Sequence, residues 1–493
     1  MIRRVKSFLF HNTTVKQTIV KNTFWLFIGQ IFSRLIKLVI IIYAARVMGV
    51  SEWGTFSYVT SLAALFTVFM DFGINAVITR ESSRDLSVQE RYFATALVIK
   101  VLMFVAIMVF VLGATPLFIK QGEVLELIPL VVIMLGIDGL RDFGATLSRA
   151  WERMQVESMV QMVTNISIVI FGFAALMIAR TAEALIWGYI AGTFIGFLTA
   201  FYPFRAYVRN AYRSFDKRLV KKIFMASWPF GMVAVMGVIM LNTDTVMVGW
   251  FGSIQDVGYY GAAQRVIQMI YLIPGLISIA FFPSMARLMD NKDRMKAILE
   301  KGLSLLTMLA VPLTVGGAVL AWEVVHILYG AQYLYGVAAF RILSLTFLPV
   351  FLSAMFGNAV FALNQERKLF TYVILGVVGN FAFNLLLIPF LGIDGAALST
   401  VINQIIITVY LMRVMRREFH FRVWHQIGKI VAASAGMAVV LVILREINMN
   451  VYAIVGAGLI TYFGLLLVLR EESLSEGWGK MKEILRRREI GSQ

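Results

Sequence analysis

The sequence contains no cysteine, which excludes disulfide bonds, thiolate metal sites and cysteine nucleophiles. Only four histidines occur among 493 residues, and none has the spacing of a metal-binding pair. Charged residues make up just 15% of the chain, and no connection is long enough for a soluble catalytic domain. The chain also lacks a P-loop, a dinucleotide-binding glycine motif and a His-Glu-x-x-His pair. These absences predict no catalytic residues, no metal, no cofactor and no enzymatic activity.

Long apolar stretches are abundant instead, because 59% of the residues are hydrophobic. A helix needs about 20 mostly apolar residues to cross a bilayer. By this measure we predict an all-α integral membrane protein with about fourteen transmembrane helices. The predicted spans are 24–45, 55–78, 93–114, 124–146, 159–180, 184–204, 224–250, 257–284, 299–321, 337–362, 370–389, 393–412, 427–444 and 451–469.

Basic residues are divided unequally between the two alternating sets of connections. The set that includes the N-terminus carries 35 of the 45 lysine and arginine residues, and the opposite set carries four. Connections rich in Lys and Arg stay in the cytoplasm during insertion. The asymmetry predicts a multi-pass protein of the cell (plasma or inner) membrane with both termini cytoplasmic. It also explains the net charge of +17 by topology and attraction to lipid headgroups, not by nucleic-acid binding.

The longest polar connection, residues 205–222, divides the chain into blocks of similar design. Each block begins with two spans joined by a glycine-containing turn, VMGVSEWGTFSYV in one and WFGSIQDVGYYGAA in the other. Six spans in each block predict a parallel repeat, as in one class of secondary transporters. The predicted segments are a cytoplasmic amphipathic N-terminus (1–23), a six-helix lobe with its basic linker (24–222), a second six-helix lobe (223–415), and a two-helix hairpin with a basic tail (416–493).

The first span carries cations at unexpected depth. Charged side chains within a span cost about 2.5–3.5 kcal/mol each and usually face a polar cavity or a partner. Gln30, Arg34 and Lys37 are spaced so that they share one helix face. Two cations with no acid in their own helix require water or an anion, although snorkelling toward the cytoplasmic interface is the structural alternative. We predict that Arg34 and Lys37 face a cavity.

The fourth span carries Asp138, Arg141 and Asp142. Arg141 can pair with Asp138 on the same face, which leaves one carboxylate for a proton, a cation or an arginine of another helix. Arg265 in the eighth span is the other cavity candidate. Snorkelling suffices for Lys100 in the third span.

The remaining intramembrane acids are Asp71 in the second span and Asp244 in the seventh. Each could couple transport to an ion gradient or serve as the counter-ion of an intramembrane cation. The amide pair Gln161 and Asn165 is interpreted more simply, as a source of hydrogen bonds between helices.

Two segments carry a family resemblance. The first is AARVMGVSEWGTFSYVTSLAALFTVFMDFGINAVITRESSR, through Gly49, Glu52, Trp53, Gly54, Asp71, Gly73 and Arg80. The second is NTDTVMVGWFGSIQDVGYYGAAQRV, through Asp244, Gly249, Val257, Gly258, Tyr259 and Arg265. Both resemble polysaccharide exporters of the multidrug/oligosaccharidyl-lipid/polysaccharide exporter superfamily. The resemblance covers the first twelve spans and implies two six-helix lobes around a central cavity, and the last two spans form the additional C-terminal helix pair.

It also implies a transporter that flips a polyprenyl-diphosphate-linked oligosaccharide from the inner to the outer leaflet by alternating access. Arg34, Lys37, Arg141 and Arg265 would then bind the diphosphate. The acids Asp71, Asp138, Asp142 and Asp244 would serve in ion coupling or as counter-ions. Expected partners are the polyprenyl-linked saccharide, membrane lipids, a proton or sodium gradient and glycan-assembly enzymes.

Three alternatives remain open from the sequence. They are a multidrug or toxin cation antiporter of the same fold, a peptidoglycan-precursor flippase, and a membrane polysaccharide polymerase or ligase. Apart from the three residues at each span end, the spans contain six basic and four acidic residues, which favours an anionic substrate over a cationic one. A polymerase or ligase would be expected to carry a large outer loop, and the sequence has none.

Overall fold

A computed structural model describes residues 15–85, 88–118, 122–151, 153–209, 211–421, 427–447 and 449–469. These residues are predominantly helical and include no β-strand, so the predicted all-α fold is confirmed for them. The N-terminal segment up to residue 14 and the basic tail from residue 470 lie outside the described residues. The chain forms two compact units, Met1–Gly258 and Tyr259–Gln493. The predicted division into lobes at residue 222 stays a prediction.

The first unit contains ten helices among the described residues, and an eleventh crosses its boundary. They are α1 (Val15–Met48), α2 (Val50–Asp71), α3 (Ile74–Arg84), α4 (Gln89–Phe118), α5 (Gly122–Ala150), α6 (Met154–Ile178), α7 (Ala182–Phe201), the short α8 (Arg205–Arg209) and α9 (Ala211–Ser214), α10 (Lys217–Phe251) and the boundary helix α11 (Ile254–Ile270). A 3₁₀ turn, Tyr202–Phe204, joins α7 to α8.

The second unit continues with α12 (Leu272–Arg287), α13 (Lys292–Val319), α14 (Ala321–Tyr329), α15 (Val337–Ser344), α16 (Phe347–Ala362), α17 (Glu366–Glu418), α18 (Ile427–Glu446) and α19 (Val451–Val468). A 3₁₀ segment, Ala331–Gly336, precedes α15.

Each predicted span coincides with one of these helices, with part of one, or with a helix pair. Among the described residues, ten helices are long and apolar enough to cross a membrane, or eleven if the bent pair Ala331–Ser344 and Phe347–Ala362 forms one span. The charged helices α1 and α5 are not among these ten helices, and α17 is counted as one helix although it covers two predicted spans. The protein is a multi-pass membrane protein, and the number fourteen stays a prediction.

Helix α17 is a hairpin rather than one long rod. Gly392 has φ 56° and ψ −132°, which interrupts the helix. Ser399 Oγ donates to the carbonyl of Asn380 at 3.3 Å, and Asn403 Nδ2 donates to the carbonyl of Gly376 at 2.8 Å. From one pair to the next, the position rises by four residues in the second half and falls by four in the first half, so the two halves run antiparallel. The hairpin matches the predicted spans 370–389 and 393–412.

The break between α2 and α3 explains one glycine of the family-like segment. Phe72 and Gly73 both have positive φ, and the chain turns there directly after Asp71. A Cβ on Gly73 would lie 2.5 Å from the carbonyl oxygen of Ser227 and 2.6 Å from the amide nitrogen of Gly231. Only glycine both adopts this conformation readily and allows α10 to approach so closely.

Both units have aromatic and aliphatic cores, yet many large apolar side chains lie on their outer faces. In the first unit, Phe93 stacks on Phe143 with ring centroids 5.0 Å apart. By contrast, Ile178 is 89% exposed and Phe390 is 85% exposed. Apolar surface of this kind is what a bilayer covers.

Candidate functional site

A polar cavity of about 320 Å³ lies within the first unit, between α1, α5 and α6. Its volume is in the range of small-ligand sites. The cavity is lined by Gln30, Ser33, Arg34, Lys37, Asp138, Arg141, Gln161, Asn165 and Ile168. Apart from Ile168, each of these side chains is polar or charged, although the surrounding helices are strongly apolar.

Helix α1 supplies the cationic wall. Gln30, Arg34 and Lys37 line the cavity together, as their shared helix face predicted. Lys37 Nζ lies 5.7 Å from the ring centroid of Tyr189 on α7, within the distance of a cation–π contact. Arg34 has no acidic partner among the described residues, so its charge is available to a ligand.

Helix α5 supplies a mixed wall. Arg141 Nη2 lies 3.1 Å from Asp138 Oδ1 and 3.5 Å from Asp142 Oδ1. The predicted pairing of Arg141 with Asp138 is therefore present. Arg141 Nε is buried and has no acceptor among the described residues, so it could still donate to a ligand oxygen or to water.

Helix α6 supplies a neutral wall of Gln161, Asn165 and Ile168. Asn165 Nδ2 donates to the main-chain carbonyl of Gln161 at 2.8 Å, which leaves the Asn165 side-chain oxygen as an acceptor. Ser158 Oγ donates to the carbonyl of Trp25 at 2.8 Å and ties this helix to α1. The sequence had assigned the two amides to contacts between helices, whereas the structure places them in the cavity wall.

A buried ion pair lies elsewhere in the first unit. Lys100 Nζ is 2.6 Å from Asp71 Oδ1, and the lysine side chain is completely buried. The ammonium group also lies 5.2 Å from the ring centroid of Phe143. The expectation that Lys100 snorkels to an interface is therefore wrong, because its charge is satisfied inside the helix bundle by an acid that lies 29 residues earlier. Asp71 is the counter-ion of Lys100 in this structure.

The structure gathers only some of the residues predicted from the sequence. Arg34, Lys37, Asp138 and Arg141 line one cavity, and Asp142 contacts it through Arg141. Asp71 and Asp244 belong to the first unit but do not line this cavity, and Arg265 belongs to the second unit. Ser33 was missed because a lone serine on an apolar helix has no distinctive pattern. The feature of the sequence that could have identified Ser33 is its position directly before Arg34, a residue already assigned to the cavity.

The chain is similar in sequence to proteins of polysaccharide biosynthesis. The model of a family described as "Polysaccharide biosynthesis protein" matches residues 19–289, more than half of the chain. A curated relative, "Probable flippase AglR" of Haloferax volcanii, is 24% identical over 460 residues, which covers 89% of this chain and 93% of that protein.

Two kinds of solved structure share the fold. "Lipid II flippase MurJ, inward closed conformation" aligns with a TM-score of 0.76 and 16% identity over 90% of this chain and 98% of that one. An inward-facing multidrug resistance MATE family transporter of the MOP superfamily aligns with a TM-score of 0.61 and 13% identity over 85% of this chain and 98% of that one. At these identities the alignments establish the fold alone.

Proposed function

Because the chain belongs to the polysaccharide biosynthesis protein family, we propose that it flips a polyprenyl-diphosphate-linked oligosaccharide from the inner to the outer leaflet of the cell membrane. The observation that carries this proposal is the cavity of the first unit, where Arg34 and Lys37 stand on one wall. The relative named as a probable flippase agrees with it. In this proposal the protein moves its lipid without chemical change and is not an enzyme.

The cations answer the main physical difficulty of flipping such a lipid. A diphosphate diester carries two negative charges, and removing them from water into a low-dielectric interior is prohibitive unless other charges replace the hydration. Arg34 can offer its planar fork of donors to phosphate oxygens, and Lys37 adds a second positive charge. Arg141 contributes less, since two carboxylates already share its charge.

The same cavity argues against the main alternative, a cation antiporter. Three basic side chains and one acidic side chain line it, so a cationic drug would meet net repulsion. The shared fold does not separate the two functions, because flippase and MATE structures both align with this chain. A peptidoglycan precursor would satisfy the same cations, and the family match favours polysaccharide assembly over it.

The remaining roles follow from the proposal. Arg265 would provide a cation in the second unit, and Asp244, Asp138 or Asp142 would couple transport to a proton or sodium gradient. Two six-helix lobes, 24–222 and 223–415, would rock to expose the substrate to each leaflet. Glycan-assembly enzymes would supply and consume the lipid.

Reconstitution tests the activity directly. The purified protein is placed in liposomes that contain a short-chain polyprenyl diphosphate carrying a fluorescent hexose. We expect the protein to make the inner-leaflet probe accessible to an impermeant quencher within minutes, while protein-free liposomes retain a protected pool. A protected pool of the same size with and without protein would contradict flipping, and faster uptake of a cationic dye instead would favour the antiporter.

Orientation has its own test, because the chain contains no cysteine. Tyr212 in the 205–222 connection is 72% exposed, and Tyr335 on the predicted outer side is 67% exposed. In intact cells, an impermeant thiol reagent should label Tyr335→Cys and spare Tyr212→Cys, and permeabilised cells should show labelling of both. The reverse pattern would place the termini outside the cytoplasm.

A further inference from the structure

The three walls of the first-unit cavity differ in chemistry, and binding of a diphosphate does not by itself explain the neutral side chains of α6. Helix α1 presents cations, whereas α6 presents two amides followed by Ile168 at a spacing of one further turn. The Gln161 side chain makes no hydrogen bond to any described residue. The Asn165 side chain makes one, in which its NH₂ group donates to the main-chain carbonyl of Gln161. Both therefore face the cavity with unused polar atoms.

Amides are poor ligands for a phosphate dianion compared with arginine and lysine, but they suit sugars. A side-chain amide both donates and accepts, which matches hydroxyl and acetamido groups that also do both. Asp138 lines the same cavity, and its carboxylate, whose Oδ1 lies 3.1 Å from Arg141 Nη2, has further lone pairs that could accept from a hydroxyl group. Ile168 offers an apolar surface to the C–H face of a sugar ring.

We infer that Gln161 and Asn165 determine saccharide specificity: they bind the neutral sugar attached directly to the diphosphate, while Arg34 and Lys37 hold the diphosphate itself. This inference rests on the proposed function and adds to it the chemical class of the first sugar. An uncharged hexose or N-acetylhexosamine fits the wall.

Binding measurements with probes of equal charge test the inference. The full-length protein in nanodiscs is titrated with diphosphate diesters that carry farnesyl on one phosphate. The other phosphate carries glucose, N-acetylglucosamine or a methyl cap. Because each probe is a dianion, differences in affinity report the sugar. We expect at least one glycosyl probe to bind wild-type protein roughly tenfold more tightly than the methyl-capped probe, at about three- to tenfold per neutral hydrogen bond.

Variants locate the effect. Gln161→Met removes no side-chain hydrogen bond to a described residue and keeps the main-chain acceptor of Asn165, so it should fold, and it should lose part of the sugar preference. Gln161→Met combined with Asn165→Leu should abolish the preference while the affinity for the methyl-capped probe stays within about twofold. Asn358→Leu is the matched control, because Asn358 also donates to the carbonyl four residues earlier, at 3.0 Å, but lies outside this cavity.

The possible outcomes distinguish the sugar assignment from the proposed binding of the diphosphate. Equal affinity of wild-type protein for glycosyl and methyl-capped probes would overturn the sugar assignment, as would a preference that survives in both amide variants. Neither result would affect the diphosphate role, which is measured by the loss of affinity for all three probes in Arg34→Ala. Unchanged affinity in Arg34→Ala would instead refute the diphosphate role, even if the sugar preference remained.

Discussion

Export of the lipid-linked saccharide should fall roughly 30- to 5,000-fold in Arg34→Ala, while the amount of protein in the membrane stays normal. Removing one partner of a desolvated, hydrogen-bonded charge pair costs about 2–5 kcal/mol, and here the partner left behind would be a phosphate group outside water. Arg34 lines the cavity without an acidic partner among the described residues, so its removal leaves no protein carboxylate unpaired there. The loss should therefore appear in transport and not in folding. Glycan at the cell surface, normalised to membrane abundance, measures it.

Two substitutions serve as controls for this result. Arg34→Lys keeps the charge but loses the bidentate fork, so it should retain partial export. Arg180→Ala removes an exposed arginine from the connection between α6 and α7 and should export normally. Full export by Arg34→Ala at normal abundance would rule out phosphate binding by this residue. A loss of abundance would indicate a structural role instead.

Lys100→Met should destabilise the protein by about 3 kcal/mol, the low end of the range for breaking a buried ion pair. The low end applies because the Asp71 side chain, which would remain, is 35% exposed and can be partly hydrated, although Lys100 itself is fully buried. The substitution leaves the Asp71 carboxylate without its cation at 2.6 Å. Membrane abundance and the midpoint of thermal unfolding in detergent should both decrease.

Combining Lys100→Met with Asp71→Asn should recover most of that loss, because no uncompensated charge then remains. Lys222→Met is the matched control: Lys222 Nζ also lies over an aromatic ring, 5.5 Å from the centroid of Tyr92, but the lysine is exposed, so little change is expected. If Asp71 instead couples an ion gradient, Asp71→Asn alone will keep its abundance and lose gradient-driven export. That outcome would contradict a purely structural counter-ion.

The cavity shows which inferences a sequence supports. Helical periodicity placed Gln30, Arg34 and Lys37 on one face, and a spacing of three residues paired Asp138 with Arg141. Both depend only on neighbours within one helix, and both are found in the structure. Apolar length likewise located the helices, since the bilayer sets that length independently of packing.

Contacts between helices were beyond the same reasoning. Depth in the membrane suggested that Lys100 could reach an interface, yet the neighbour that decides its role is Asp71 on another helix. The amides Gln161 and Asn165 had the spacing of a helix contact, and only the packing of α6 against α1 turns them toward the cavity. Sequence spacing specifies a face, but the partner of that face is set by tertiary packing.

The hairpin of α17 has a consequence for how the chain is made. Its two halves meet at Gly392 with no polar loop between them, and the carbonyls of Gly376 and Asn380 are partners of side chains from the opposite half. Either half alone in lipid would carry polar groups without those partners, and each such group is costly in hydrocarbon. The two halves should therefore leave the translocon for the lipid as a pair. The first half would stay in the translocon until the second half has been synthesised. For this part of the molecule, the unit of membrane insertion is a hairpin and not a single helix.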